Sequence, residues 1–141
     1  MANVPTYNQR CDIQLDAESL EQYLWLIEHT IPNKHKGLWN KILDDAGFLC
    51  DRIYEAYDIP KEVDDAKYYA LCAGYTALRR IQRRVIIANL HNVNAIDNDT
   101  KARIDILSNK VLTNLQGWSN SIKKRLSRQI PEAATPKGEN S

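Results

Sequence analysis

The stretch KEVDDAKYYALCAGYTALRRIQRRVIIANL, residues 61–90, decides the fold. Its apolar positions recur every three or four residues, which is the period of an amphipathic helix. They are Leu71, Gly74, Leu78, Ile81, Val85 and Ala88. We therefore predict a long third helix with one side in a core, where Gly74 and neighbouring alanines let another helix approach closely.

Three further segments show the same period. The first helix is predicted to begin at Asp16 as N-cap, to bury Leu20, Tyr23, Leu24 and Ile27, and to end before Pro32. A loop, residues 32–37, leads to the second, with Leu38, Ile42, Ala46, Leu49 and Ile53, which stops before Pro60. The fourth follows an Asn- and Asp-rich link, residues 92–99, and carries Ile104, Leu107, Val111, Leu115, Trp118 and Ile122.

Four helices with short joints predict an all-α protein, an antiparallel up-and-down four-helix bundle. A chain of 141 residues suits a single domain. We expect the bundle to span residues 16–129, between flexible tails at residues 1–15 and 130–141, where prolines and small polar residues dominate.

Composition narrows the cellular setting. The three cysteines form no CxxC pair, which favours a reducing compartment, and no apolar run is long enough to span a membrane. We expect a cytoplasmic protein without a membrane partner.

Charge is divided unevenly between the two halves of the chain. Residues 1–70 hold 7 Lys/Arg against 13 Asp/Glu, and residues 71–141 hold 12 against 5. Such asymmetry is typical of a surface that meets a polyanion, although folding could equally pair the two halves.

Four arginines on the third helix are the main binding candidates: Arg79, Arg80, Arg83 and Arg84. On a helix they share an arc of roughly 140°, and guanidinium groups this crowded require an anion against them. Phosphate fits best, because the Arg fork matches its oxygens at any physiological pH. The alternative is a solvated helix face.

The same helix places apolar side chains away from its core stripe: Tyr68, Tyr75, Ile86 and Ile87. We favour a subunit interface for these four, with base stacking by the tyrosines as the alternative. The fourth helix adds basic side chains: Arg103, Lys110, Lys123, Lys124, Arg125 and Arg128. Nucleic-acid binding and interaction with the negative end of the helix dipole explain its last four cations equally well.

Catalytic motifs are missing from the sequence. The three histidines, His29, His35 and His91, form no HExxH or zinc spacing, and no glycine-rich phosphate loop occurs. Cys50 and Cys72 fall within predicted helices, where a cysteine usually behaves as a small apolar residue. We therefore expect no enzyme, no metal or other cofactor, and no small-molecule substrate.

Three local patterns carry a resemblance to a known family: IPNKHKG at residues 31–37, YALCAG at residues 69–74 leading into Leu78, Arg79 and Arg83, and Gly117-Trp118. Together, over roughly residues 20–128, they resemble the accessory variability determinants of diversity-generating retroelements. That family is related to the four-helix proteins encoded in 23S rRNA intervening sequences.

The resemblance implies a ring-shaped homopentamer with a basic surface. It further implies binding of a reverse transcriptase and its template RNA, and support of mutagenic cDNA synthesis without a catalytic centre. Arg79 and Arg83 match arginines of the family's third helix, and Lys34 and His35, next to Lys36, match its basic loop. The pI of 7.7 departs from that family, whose members are strongly basic.

Other interpretations stay open at this stage. The chain is alternatively a protein of the 23S rRNA intervening-sequence type, or a structural oligomer that binds an acidic protein partner. RNA is the expected nucleic acid, and DNA is the second possibility.

Overall fold

Four long helices form the chain in a computed structural model, which describes residues 12–60, 62–91 and 96–129. They are α1 (Asp12–Leu26), α2 (Lys36–Asp58), α3 (Asp64–His91) and α4 (Asn98–Gln129). Two single turns of 3₁₀ helix, Glu28–Thr30 and Asn33–His35, connect α1 to α2. The described ranges contain no β-strand, so the predicted all-α class is confirmed.

Contacts between the helices define an up-and-down bundle. Each helix packs mainly against two others, in the cyclic order α1, α2, α3, α4. Neighbouring helices run in opposite directions: Asp45 in α2 meets Arg84 late in α3, whereas the backbone carbonyl of Ala56 at the end of α2 meets Lys67 at the start of α3. Short joints between antiparallel neighbours produce this arrangement.

The start of α1 differs from the prediction. The helix begins at Asp12 rather than after an N-cap at Asp16, so residues 12–15 belong to the bundle. Ile13 is buried and continues the apolar spacing of Ala17, Leu20 and Leu24 back by one turn. Burial of this extra turn outweighs the polar sequence around it. Residues 1–11 and 130–141 lie outside the described ranges.

The other helix boundaries follow local chemistry. The second helix ends at Asp58, because Ile59 takes an extended conformation before Pro60. The fourth begins where the Asp97 side chain accepts a hydrogen bond from the backbone N–H of Thr100, at 2.7 Å. That bond lowers the pKa of Asp97, because it favours the charged carboxylate.

The core follows the predicted apolar stripes. All six positions of the third helix's stripe are buried, and so are most of the others, while Tyr23, Leu38, Leu107 and Trp118 are partly buried at its margin. Trp39 is fully enclosed, and its indole N–H donates to the Leu24 carbonyl at 3.2 Å. A Cβ at Gly74 would lie 3.6 Å from Leu49 and Arg52, which is ordinary contact. Close packing therefore does not require glycine there.

The bundle separates charge between two sides. Together α1 and α2 contain three Lys/Arg and nine Asp/Glu, whereas α3 and α4 contain twelve and four. Because the cyclic order sets the α1–α2 pair opposite the α3–α4 pair, the molecule has an acidic side and a basic side. The asymmetry between the sequence halves thus becomes an asymmetry in space.

Candidate nucleic-acid interface

The four arginines of α3 divide into two pairs with different partners. Arg80 and Arg84 both donate to the buried carboxylate of Asp45 on α2, and the Arg80 Nε and Nη2 atoms each lie 3.1 Å from its Oδ1. The prediction that all four need an external anion is therefore wrong for this pair. Asp45 supplies the negative charge from within the chain and ties α2 to α3.

Arg79 and Arg83 lie on the outer side of the same helix. Both are exposed, and Arg79 Nη1 donates to Oε1 of Gln82 at 2.8 Å, which holds its guanidinium along the helix. Arg83 has no hydrogen-bond or ion-pair partner within the described ranges. These two guanidinium groups are thus available to an external anion.

A groove between α3 and α4 brings a third cation to this pair. It encloses about 410 Å³, and we call it the arginine groove. Its lining residues are Arg79, Gln82, Arg83, Ile86, Lys101 and Asp105. Lys101 Nζ lies 3.0 Å from the Asp105 carboxylate, one turn along α4. The groove therefore has three cations against one carboxylate and a net charge of +2.

At the other end of α4 the basic residues also divide. Arg125 is paired through two hydrogen bonds with Asp64 at the start of α3, at 2.9 and 3.1 Å, and the Asp64 side chain is buried. Hydrogen bonding to this carboxylate raises the pKa of Arg125. Arg125 thus joins α3 to α4, and its contact with nucleic acid stays a prediction. Lys123, Lys124 and Arg128 are exposed and line a shallow depression on the surface of α4.

Lys110 lies on the opposite edge of α4 from the arginine groove. It is exposed and faces Asp12 and Asp16 across a wide cleft between α1 and α4. These carboxylates offset its charge, and Asp16 also accepts a hydrogen bond from Asn114 at 3.0 Å. Lys110 thus differs from the other predicted basic residues of α4, because acidic side chains of α1 lie across the cleft from it.

The loop before α2 contains both paired and exposed cations. Lys36 Nζ lies 2.7 Å from both the carboxylate and the backbone carbonyl of Glu28. It therefore holds the connection between α1 and α2 together, and its role in nucleic-acid binding stays a prediction. Lys34 is exposed, and His35 is half-buried and immediately precedes α2.

The four predicted interface residues are not equally exposed. Tyr75 and Ile86 are exposed, whereas Ile87 is half-buried and Tyr68 packs against the edge of the core. A hydrogen bond with Cys72, one turn later, raises the pKa of Tyr68. Tyr68 therefore does not face away from the core as predicted. Tyr75 and Ile86 lie on the basic side, next to the arginines.

Comparisons with known proteins identify no family for this chain. No protein-family model, curated protein or solved structure matches the chain. The resemblance to the accessory variability determinants therefore rests on the three sequence patterns and on the four-helix architecture they imply. In the described ranges, no helix has the length and apolarity needed to cross a membrane. Among the same residues, no group of three or more His, Cys, Asp and Glu side chains could hold a metal ion.

The sequence patterns did not predict several residues of the basic α3–α4 side. Lys101, Gln82 and Asp105 line the arginine groove, but no motif marks them and Lys101 lies 18 residues beyond Arg83 in the chain.

Lys67 is a buried cation that sequence patterns do not reveal. Its Nζ donates to the Ala56 carbonyl and lies 5.7 Å from the centre of the Trp118 ring. Burial lowers the pKa of Lys67, although nearby Asp64 opposes that shift.

Proposed function

We propose that this protein is a non-enzymatic adaptor that binds RNA through the α3–α4 side and presents it to a reverse transcriptase. In the setting implied by its sequence patterns, it is the accessory protein of a diversity-generating retroelement and assembles as a homopentamer. The RNA is the template for mutagenic cDNA synthesis. The adaptor contributes binding and positioning, and the polymerase performs the chemistry.

The observation that carries this proposal is the arginine groove. Arg79 and Arg83 lack a carboxylate partner in the described part of the chain, and Lys101 joins them from the neighbouring helix. Phosphate oxygens complement such a cluster, because each guanidinium offers two parallel donors to one phosphate. Lys123, Lys124 and Arg128 extend the positive surface toward the end of α4. Lys101 and Lys123 are 22 residues apart, which places them about 33 Å apart along the helix.

The internally paired arginines serve the same function indirectly. Since Arg80 and Arg84 satisfy Asp45, they fix the rotation of α3 against α2 and leave Arg79 and Arg83 facing outward. A phosphate contact releases condensed counterions, so binding should weaken with salt by about 0.7 logarithmic units per single-strand contact for each tenfold rise in concentration.

The test is a salt titration of RNA binding by fluorescence anisotropy. We expect Arg79→Gln/Arg83→Gln to lower affinity and to reduce the slope of log affinity against log salt by about 1.4, for two lost contacts. Lys41→Gln is the matched control, because Lys41 is an exposed, unpaired cation on the acidic side. Equal slopes for the wild type and the double variant would refute the proposal.

The oligomeric part of the proposal needs its own measurement. Light scattering should give five times the 16.2 kDa chain mass without RNA and a higher mass with a structured RNA at low salt. A protein that stays monomeric under these conditions would contradict the pentamer while leaving the RNA result to stand by itself.

A second candidate function is a purely structural assembly. The acidic α1–α2 side and the basic α3–α4 side are complementary, so copies could associate head to tail through charge. This candidate predicts an oligomer that dissociates in high salt and does not bind RNA. The same light-scattering series separates the two, because only the adaptor gains mass from RNA.

A further inference from the structure

We infer that the α3–α4 side binds nucleic acid as a single strand, with Tyr75 and Tyr69 as stacking platforms on the exposed face of α3 that carries Arg79 and Arg83. This inference rests on the proposed function and adds to it the form of the ligand. The cations alone would hold a duplex or a single strand, since both present phosphates. The tyrosines distinguish between them.

The helix geometry places the Tyr75 ring next to the two outward-facing arginines, Arg79 and Arg83. Tyr75, Arg79 and Arg83 follow at intervals of four residues, so each is about 6 Å further along α3 and about 40° further around it. Tyr69 precedes Arg83 by 14 residues, which puts it about 21 Å back along α3, about 40° from Arg83 and about 120° from Tyr75 around the helix. The two rings and the two guanidinium groups thus lie within one exposed arc of about 120° on α3, and both rings precede the arginines along the helix.

Three of the other four described tyrosines have a hydrogen-bond or cation–π partner within the protein. Tyr54 donates to the Glu18 carboxylate, Tyr68 is hydrogen-bonded to Cys72, and the Tyr23 ring lies 5.9 Å from the Arg103 guanidinium. Tyr57 lines an apolar cleft beside Ile13 and Trp118.

Tyr69 and Tyr75 combine exposure and the lack of a partner with a place on α3, the helix that carries Arg79 and Arg83. Tyr69 is 74% exposed and Tyr75 37% exposed. Neither has a hydrogen-bond or ring partner in the described ranges. A solvated helix face has no need of two such rings, and their position on the helix that carries Arg79 and Arg83 matches the aromatic-and-cation surfaces on which bases stack.

Stacking on a tyrosine requires an accessible base face. In a duplex each base is covered by its neighbours, so only an unpaired strand can place a base on Tyr75 while its phosphates contact Arg79 and Arg83. Stacking also tolerates any base, which predicts little dependence on sequence. Neither contact uses a ribose 2′-hydroxyl, so RNA and DNA strands should bind similarly.

The experiment compares three labelled ligands by fluorescence anisotropy at low salt: a 12-nucleotide unstructured RNA, the DNA strand of the same sequence, and its DNA duplex. We expect the single strands to bind more tightly than the duplex. Tyr75→Leu should weaken single-strand binding by about tenfold, and Tyr69→Leu similarly, with little effect on the duplex. The matched control is Tyr57→Leu, since Tyr57 is 40% exposed but lies away from the arginine groove.

Several results would overturn the inference. Equal affinity for duplex and single strand, or unchanged single-strand binding in both tyrosine variants, would remove it and leave the proposed phosphate binding intact. Binding of RNA but not DNA would also contradict it. If Tyr75→Leu changed the mass measured by light scattering, Tyr75 would instead belong to a subunit interface. Failure of every ligand to bind would refute the proposed function as well.

Discussion

Replacement of Asp45 by asparagine tests how the bundle uses its arginines. The substitution keeps the side-chain volume and removes the charge that accepts hydrogen bonds from Arg80 and Arg84. Loss of one partner from a buried ion pair costs about 3–5 kcal/mol. Here the side chains of Arg80 and Arg84 are 36% and 22% exposed and can turn toward water, so we place the loss at about 2 kcal/mol.

For a chain of 141 residues, this loss corresponds to a decrease in Tm of about 6–8 °C, measurable by circular dichroism. The variant should also bind RNA more strongly and with a steeper salt dependence, because two more guanidinium groups become available. Each new phosphate contact adds about 0.7 to the slope of log affinity against log salt.

Asp44→Asn provides the matched control for both readouts. Asp44 is the exposed neighbour of Asp45, has no partner in the described ranges, and carries the same charge. The two variants therefore share any long-range effect of net charge. If Asp45→Asn and Asp44→Asn melt at the same temperature, the carboxylate does not stabilise the bundle and our account of Arg80 and Arg84 is wrong.

Three further predictions concern stability and reactivity. Gly117→Ala should raise the free energy of unfolding by about 0.5–1 kcal/mol in urea titrations, since Gly117 is exposed within α4 with no atom near a new Cβ; a loss of stability would contradict this. Maleimide should modify Cys72 faster than Cys50 at pH 7, because burial raises the pKa of the Cys50 thiol and Cys72 is only partly buried. Peptide mass spectrometry measures the rate at each site, and equal rates would refute the burial of Cys50. The folded-state pKa of Lys67 lies below its ordinary value of 10.5, so between these two values the unfolded state binds more protons and the wild type should gain stability as pH rises to about 10.5. Lys67→Met should lose this pH dependence of the urea midpoint, and parallel pH profiles for the variant and the wild type would contradict the prediction.

The helices could be predicted from the sequence because their apolar residues repeat with a helical period. That signal depends only on neighbours along the chain, and Pro60 marks the end of α2 just as directly. It failed at the start of α1, where polar residues surround Ile13 and only burial in the assembled bundle reveals its role.

The site was less predictable than the fold because the partners of its charges are distant in sequence. Asp45 lies 35 residues before Arg80, and Asp64 lies 61 residues before Arg125. A local sequence pattern cannot show which arginine is paired with a carboxylate in the folded protein. The sequence could therefore locate the cluster of cations but could not separate Arg79 and Arg83, which face outward, from Arg80 and Arg84.

The separation of charge between the two sides has a consequence for how the protein encounters a polyanion. With a net charge of +1, the whole molecule is only weakly attracted to a polyanion. Its basic side is attracted and its acidic side is repelled, with comparable strength. An approaching nucleic acid therefore acts on the protein mainly as a torque. Screening confines this torque to a distance of about 8–10 Å at physiological ionic strength. The α3–α4 side is thus turned toward the phosphates in the last step of diffusion, before any contact forms.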